Sequence, residues 1–294
     1  MKHRSAIGCK GGIKGILLGL LALIAVVGAG LWVYFFVLLK PDNLIRQEIY
    51  KGVFLTVEDI PGQFGDGKVM IAEIHWDEPG VEMYFRPFRP RASGKMHYTL
   101  MPADYLRWDA DLDLMINTTR YYPEEWWKCF PGKQVNTLET LVWNGRASHI
   151  HQNSYMFGWN ENEEFLFEAT KPPSPEFLEQ LKWGIGVQSI SLFEGMVREA
   201  ALGRNVVEDA RTFMAVDPDK KILWLIVGEK ISELGINMIA SRQGAIFGGQ
   251  LDTQDASNMI IGSGARGVKT MTGIRGRRML AATLGIRAEP IPEI

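Results

Sequence analysis

Gly244-Ala245-Ile246-Phe247-Gly248-Gly249-Gln250-Leu251-Asp252-Thr253-Gln254-Asp255-Ala256-Ser257-Asn258-Met259-Ile260-Ile261 reads as a strand, a polar turn with two carboxylates, and a second strand. Ile260 and Ile261 can be buried, whereas Asp252, Asp255 and Ser257 cannot be buried unpaired. Such a polar turn between apolar edges sits at the mouth of a cleft, or it is an Asx-rich hairpin turn. Asp252 follows Ile246-Phe247 and Leu251 at a strand end, so a rigid sheet would present it.

Strands dominate outward from this stretch. Gly52 to Glu58, Lys68 to Trp76 and Val81 to Arg86 read as strands, with 62–67 and 77–80 as turns. Pro41 to Ile49 reads as a linker, and 86–91 as a basic, proline-punctuated loop. Met101 to Ala110 reads as a short helix with Thr99 as its cap, and Asp113 to Asn117 as a buried strand ending in polar residues. Trp143-Asn144-Gly145-Arg146 signals a hairpin. Glu176 to Trp183 reads as a helix after the break at 171–175; Val187 to Phe193, Phe213 to Val216 and Ile222 to Val227 read as strands. Lys230 to Arg242 suits a helix packed on the sheet. The expectation is an α+β domain of mixed or antiparallel sheets with a few packed helices.

An apolar, uncharged run from Gly15 to Leu39 precedes that domain. A bilayer core of ~30 Å needs about 20 helical residues, so the run is long enough to span. Lys2, Arg4, Lys10 and Lys14 lie before it without an acidic residue, which places the N-terminus in the cytoplasm and the bulk of the chain outside. The organisation expected is a basic cytoplasmic 1–14, a transmembrane helix 15–39, a linker 40–50 and a domain 51–294. A cleaved signal peptide ending near Val27-Gly28-Ala29 is the competing reading, but it leaves Leu31 to Leu39 as a greasy tail. Cys9 and Cys129 would lie on opposite sides and cannot pair in one chain.

The 294 residues carry a net charge of -2, which argues against nucleic acid as a main partner. Nine Trp and eight Tyr would suit sugar stacking, but the reading favoured is that large aromatics fill a core. No P-loop, dinucleotide fingerprint or nucleophile elbow is present. His149 and His151 alternate, but no third metal ligand accompanies them. Asp109, Asp111 and Asp113 alternate without the glycine and terminal glutamate of a calcium loop.

Four segments in order bear on function: Met115-Ile116-Asn117-Thr118-Thr119, Ala210-Arg211-Thr212-Phe213-Met214-Ala215-Val216, Leu251-Asp252-Thr253-Gln254-Asp255-Ala256-Ser257, and Arg277-Arg278-Met279-Leu280-Ala281-Ala282-Thr283-Leu284-Gly285-Ile286. Over residues 50 to 288 this order resembles the phosphodiester glycosidase family, which includes the enzyme that uncovers mannose 6-phosphate on lysosomal hydrolases. That family shows Asn-Gly-Gly at a strand end, Arg-Thr before a strand, Leu-Asp-Gly-Gly-Gly-Ser, and an arginine before its last strand. Here the glycines are replaced by Thr118 and Thr119, and by Thr253, Gln254 and Asp255; the first serine is Ala256. Side chains in those places reshape such a pocket.

The resemblance implies a hydrolase of a sugar-1-phosphodiester in a glycan or polysaccharide, which the apolar run and its basic flank would anchor to a membrane with the domain outside the cytoplasm. Asp252 would act on the anomeric centre or its water, since glycoside chemistry uses carboxylates in both roles. Arg211 and Arg278 would hold the phosphodiester through planar guanidinium forks, with Arg275 and Arg277 as neighbouring alternatives. Asn117, Ser257 and Asp255 would orient substrate, and Glu229, after Ile226-Val227-Gly228, is a second carboxylate candidate. Asn117 also heads the sequon Asn117-Thr118-Thr119, which would be glycosylated only in a eukaryotic secretory pathway. No organic cofactor is implied, and a divalent ion is compatible. The lost glycines leave a second reading: a non-catalytic glycan-binding or envelope scaffold on the same fold.

Overall fold

The computed structural model describes residues 12–33, 42–86, 89–90, 96–121, 129–152, 154–187, 189–198, 209–253, 256–262, 265, 272–274 and 278–291. The chain divides into two compact units, Met1–Lys40 and Pro41–Ile294. The first contains helix α1, Gly12–Val33. Side chains are described only for its residues 17–30, and no helix among the described residues is long and apolar enough to cross a membrane.

The second unit is built on a sheet of order β1 (Leu44–Tyr50), β2 (Val53–Asp59), β3 (Gly65–His75), β17 (Ile222–Ile231), β16 (Asp209–Asp217), β18 (Phe247–Thr253), β14 (Ile190–Phe193) and β15 (Met196–Val197). Two five-stranded sheets accompany it. One has the order β10 (Arg146–Ala147), β9 (Leu141–Trp143), β13 (Trp183–Val187), β11 (Tyr155–Trp159), β12 (Phe165–Glu168). The other has β20 (Thr272–Ile274), β19 (Met259–Ile261), β7 (Leu114–Asn117), β21 (Thr283–Arg287), β4 (Glu82–Phe85). β5 (Arg89–Pro90), β6 (Met96–Thr99) and β8 (Gln134–Val135) form a small fourth sheet. Each pairing among the described strands is antiparallel, such as Met214↔Leu225 and Ile260↔Met115.

Side-chain alternation along these strands assembles the core. Met214 and Val216 of β16 face the two smaller sheets, where they meet Leu114, Ile116, Phe157 and Ile185 in the main cluster. Phe213 and Ala215 face the other way, onto Ile236 and Ile239 of α4 (Glu233–Arg242). Met115 and Ile260 pack instead on Leu106 of α2 (Ala103–Asp109). Val142 and Met156 pack on Leu178 of α3 (Pro175–Glu179). Most of these strands are therefore buried on both faces, which is why they read as apolar runs rather than alternations. α4 is capped by Ser232, whose Oγ accepts from the Gly235 N–H at 3.1 Å.

The architecture is a sheet-rich α+β domain. Four expectations are corrected. Most of the expected linker 40–50 is β1, Leu44–Tyr50, which pairs with β2. Thr99 ends β6 rather than capping α2, whose N-cap is Pro102. α3 stops at Glu179, and Trp183 already belongs to β13. Most consequentially, β18 and β19 are not a hairpin: β18 pairs with β16 and β14, and β19 with β7 and β20. The polar stretch after Leu251 crosses from the large sheet to a smaller one.

Candidate active site

That crossing is where the buried polar groups collect. Asp252, near the end of β18, lies opposite Thr212 of β16. Asn117, the last residue of β7, reaches from the facing sheet: its Nδ2 donates to Asp252 Oδ2 at 2.8 Å. Asn117 Oδ1 accepts from Thr212 Oγ1 at 2.7 Å and from the Asn258 N–H at 2.8 Å. One amide thus ties together β7, β16, β18 and the start of β19. The members of this network are enclosed: Asn117, Thr212, Asp252 and Asn258 are all buried. A polar cluster so deep persists only when its members satisfy one another.

Asp252 is 2% exposed, and burial pushes its carboxyl up to about 7. The Thr253 N–H, donating to Oδ1 at 2.7 Å, opposes that rise, as do the Asn117 amide and the Arg120 charge; the Glu139 charge adds to it. A carboxyl poised near neutrality in a buried, multiply bonded setting is a functional-site candidate.

Glu139 gives the site a second carboxylate. It lies in the segment between β8 and β9, 2% exposed. Its Oε1 accepts from Arg120 Nε at 3.2 Å and Nη2 at 3.0 Å. Its Oε2 accepts from the Arg120 N–H at 3.1 Å and from Thr119 Oγ1. The residues following Asn117 therefore form a strap onto Glu139. Nothing in the texture of Asn136-Thr137-Leu138-Glu139-Thr140 distinguishes this glutamate in sequence; the fold alone brings it within the field of Asp252.

Thr118 and Ser257 are both fully buried, and their hydroxyls lack hydrogen-bond partners among the described residues. Ser257 precedes Asn258, whose N–H bonds Asn117 Oδ1, and Thr118 follows Asn117, so the two hydroxyls flank that contact along the chain. Tyr121 follows, its hydroxyl donating to the Met279 carbonyl. The Arg278 guanidinium lies 5.8 Å from the Tyr121 ring centroid. Burial raises the Tyr121 hydroxyl pKa, with Cys129 beside it; the Arg278 charge opposes and the Asp252 charge adds to the rise.

The structure brings Asn117 and Asp252 into contact, buries Ser257 next to Asn258, which bonds Asn117, and places Arg278 near Tyr121. It does not bring Arg211 to Asp252. Arg211 precedes Thr212, so alternation sends it to the opposite face of the large sheet. There its Nε donates to the Ile231 carbonyl at 2.7 Å and its Nη1 to Gln250 Oε1 at 2.6 Å. Glu229 also lies elsewhere, accepting from the Lys68 N–H of β3 at 3.0 Å. Asp255, Arg275 and Arg277 fall outside the described residues. His149 and His151 sit in a loop with ring centroids 6.3 Å apart. Among the described residues no group of three or more His, Cys, Asp or Glu side chains is placed to hold a metal ion. A separate groove of about 600 Å³ lies at β1, β2 and the end of α4, lined by Ile45, Arg46, Glu58 and Arg242.

The fold is shared with solved structures. A hypothetical protein from Synechocystis superposes with a TM-score of 0.61 at 12% identity, over 84% of this chain and 64% of that one. The chain thus spans less than two thirds of that protein. The zebrafish N-acetylglucosamine-1-phosphodiester alpha-N-acetylglucosaminidase catalytic domain, auto-inhibited by its pro-peptide, matches with a TM-score of 0.56 at 13% identity, over 83% of this chain and 88% of that one. A putative exported protein from Burkholderia pseudomallei matches at 0.56 and 8% identity, over 76% and 74%. At these identities the likeness is one of fold. No protein-family model and no curated protein sequence matches the chain.

Proposed function

We propose that the chain is a hydrolase of sugar-1-phosphodiesters in a glycan or polysaccharide, with Asp252 as the reacting carboxylate. The observation that carries this reading is the buried Asn117–Asp252 contact at the crossing between sheets, with Glu139 in the same electrostatic field. The fold shared with the zebrafish phosphodiester glycosidase domain supports it. In the step proposed, water attacks the anomeric carbon and gives its proton to the Asp252 carboxylate. The carbon–oxygen bond to phosphate breaks, and its electron pair leaves with the phosphate oxygen. A phosphate monoester is a weak base, so little acid assistance is needed. Asn117 fixes the orientation of Asp252, and Ser257, whose buried hydroxyl has no partner among the described residues, is assigned to orienting substrate.

The same proposal tethers the domain to a membrane through residues 15–39 with the domain outside the cytoplasm. Its support is the apolar run with its basic N-terminal flank, together with the exposed Leu17, Leu18, Leu20, Leu21, Leu23 and Ile24 of α1, apolar surface that water disfavours.

The competing reading, a glycan-binding or envelope scaffold, draws on Thr118, Thr119 and Asp252 all being buried where the resembled family keeps glycines around its site. Incubation of the full chain with a panel of sugar-1-phosphodiesters separates the two. Release of free sugar together with the phosphate monoester is the expected result. Saturable glycan binding without release across the panel would leave the scaffold.

A further inference from the structure

Arg211 is held on the far face of the large sheet, so the anion-holding task assigned to it falls to another cation. Three observations converge on Arg120. It follows Asn117-Thr118-Thr119 directly, so the backbone that delivers the amide to Asp252 also delivers this guanidinium. Its side chain is 40% exposed while that of its partner Glu139 is 3% exposed, so the pair runs from solvent into the interior. Arg278 lies 5.8 Å from the centroid of the neighbouring Tyr121 ring, a second guanidinium brought to this strap from a distant segment.

The Arg120–Glu139 pair has an unusual distribution of bonds. Glu139 is held from four directions, by Arg120 Nε and Nη2, the Arg120 N–H and Thr119 Oγ1. It keeps the last two if the guanidinium departs. Arg120, by contrast, spends two of its five side-chain N–H groups on Glu139 and is 40% exposed, which leaves donors on a planar fork of the kind that matches two phosphate oxygens. Glu139 is thus fitted to release part of Arg120 without being left bare.

We propose that Arg120 is the anion-binding residue of this site, and that a phosphate group docks on it in competition with Glu139. The identity of the ligand as a phosphodiester rests on the hydrolase reading, but the docking chemistry is that of any phosphate. In this arrangement Glu139 acts as a stand-in for the ligand, holding the guanidinium in place until the anion arrives and leaving it partly shared afterwards. Arg278 supplies additional positive charge beyond Tyr121.

Inorganic phosphate is the probe, titrated calorimetrically into the full chain in detergent at fixed ionic strength. The wild type should bind it saturably. Glu139→Gln, which removes the competing charge but keeps hydrogen-bonding capacity, should tighten binding by about tenfold, the equivalent of one charge-assisted contact. A gain of that kind cannot come from misfolding. Arg120→Gln alone would strand a buried carboxylate, so the loss arm is the double variant Arg120→Gln/Glu139→Gln, checked by its melting curve. It should bind phosphate at least tenfold more weakly than wild type.

Equal affinities in all three proteins, or no saturable binding by the wild type, would overturn the proposal. Phosphate binding that follows this pattern without hydrolysis of any sugar-1-phosphodiester would sink the hydrolase reading and leave the anion site standing. Hydrolysis with KM unchanged in the double variant would do the reverse.

Discussion

The Asp252 carboxyl, held at about 7 where an unfolded chain has about 3.8, makes the site costly to the fold. The native state binds the proton more tightly than the unfolded state, so this contribution to stability is full below about pH 4 and falls as pH rises toward 7. A tenfold difference in proton affinity between the two states corresponds to about 1.4 kcal/mol, so the cost above pH 7 is of order 3–5 kcal/mol. His149, whose pKa burial lowers, works with the opposite sign, so a comparison of variants is needed to isolate Asp252. Asp252→Asn should be more stable than wild type at pH 8 and lose most of that advantage at pH 4. Urea melts at the two pH values measure this, and a pH-independent difference would contradict the buried, proton-retaining carboxyl. Asn117→Ala should cost about 1–3 kcal/mol, because it strands the Thr212 hydroxyl, the Asn258 N–H and one Asp252 oxygen together. A loss below about 0.5 kcal/mol in the same melts would mean that water replaces the amide. At this scale Asp252 and Asn117 were legible in sequence because each ends an apolar run. Arg211 was legible as a residue but not in its direction, since one position along a strand reverses the face.

Elements place Glu139. The carbonyl of its neighbour Thr140 accepts from the Gly186 N–H of β13 at 2.7 Å, which pins the Glu139 segment to the smaller sheet. A Cβ at Gly186 would stand 2.7 Å from the Thr140 carbonyl oxygen and 2.9 Å from its nitrogen, backbone atoms that cannot turn aside. Gly186→Ala should therefore push the segment outward, at about 1–3 kcal/mol of stability, and carry Glu139 with it. A lowered melting temperature together with reduced turnover is expected; an unchanged melting temperature would show that the segment has slack. Strand positions such as Lys68 to Trp76 and Val81 to Arg86 were readable because their ends carry Gly, Pro or Asp turns. The β18–β19 crossing was not, because a polar stretch between two apolar runs reads the same whether the strands pair with each other or with strands far away. Pairing with β7, over a hundred residues earlier, is a property of the closed core.

For the whole molecule, the sequence supported a sheet-rich α+β domain, and the layers bear that out through strands buried on both faces. The four-sheet arrangement was not legible, since continuous apolar runs such as Ile222 to Val227 do not say which sheet they join. The proposed tether is tested on intact cells or spheroplasts: added protease should digest 40–294, and alkaline carbonate should leave the full chain in the membrane pellet. Complete protection of the domain would place it inside. Whether the buried carboxyl at the crossing performs the proposed hydrolysis is decided by the pH dependence of kcat/KM on the best sugar-1-phosphodiester, for wild type and Asp252→Asn. The wild-type rate should rise with pH through an inflection near 7, as Asp252 loses its proton and becomes the base, and the variant should lose at least about 100-fold. A wild-type profile flat from about pH 5.5 to 8.5, or full turnover by Asp252→Asn, would contradict that role.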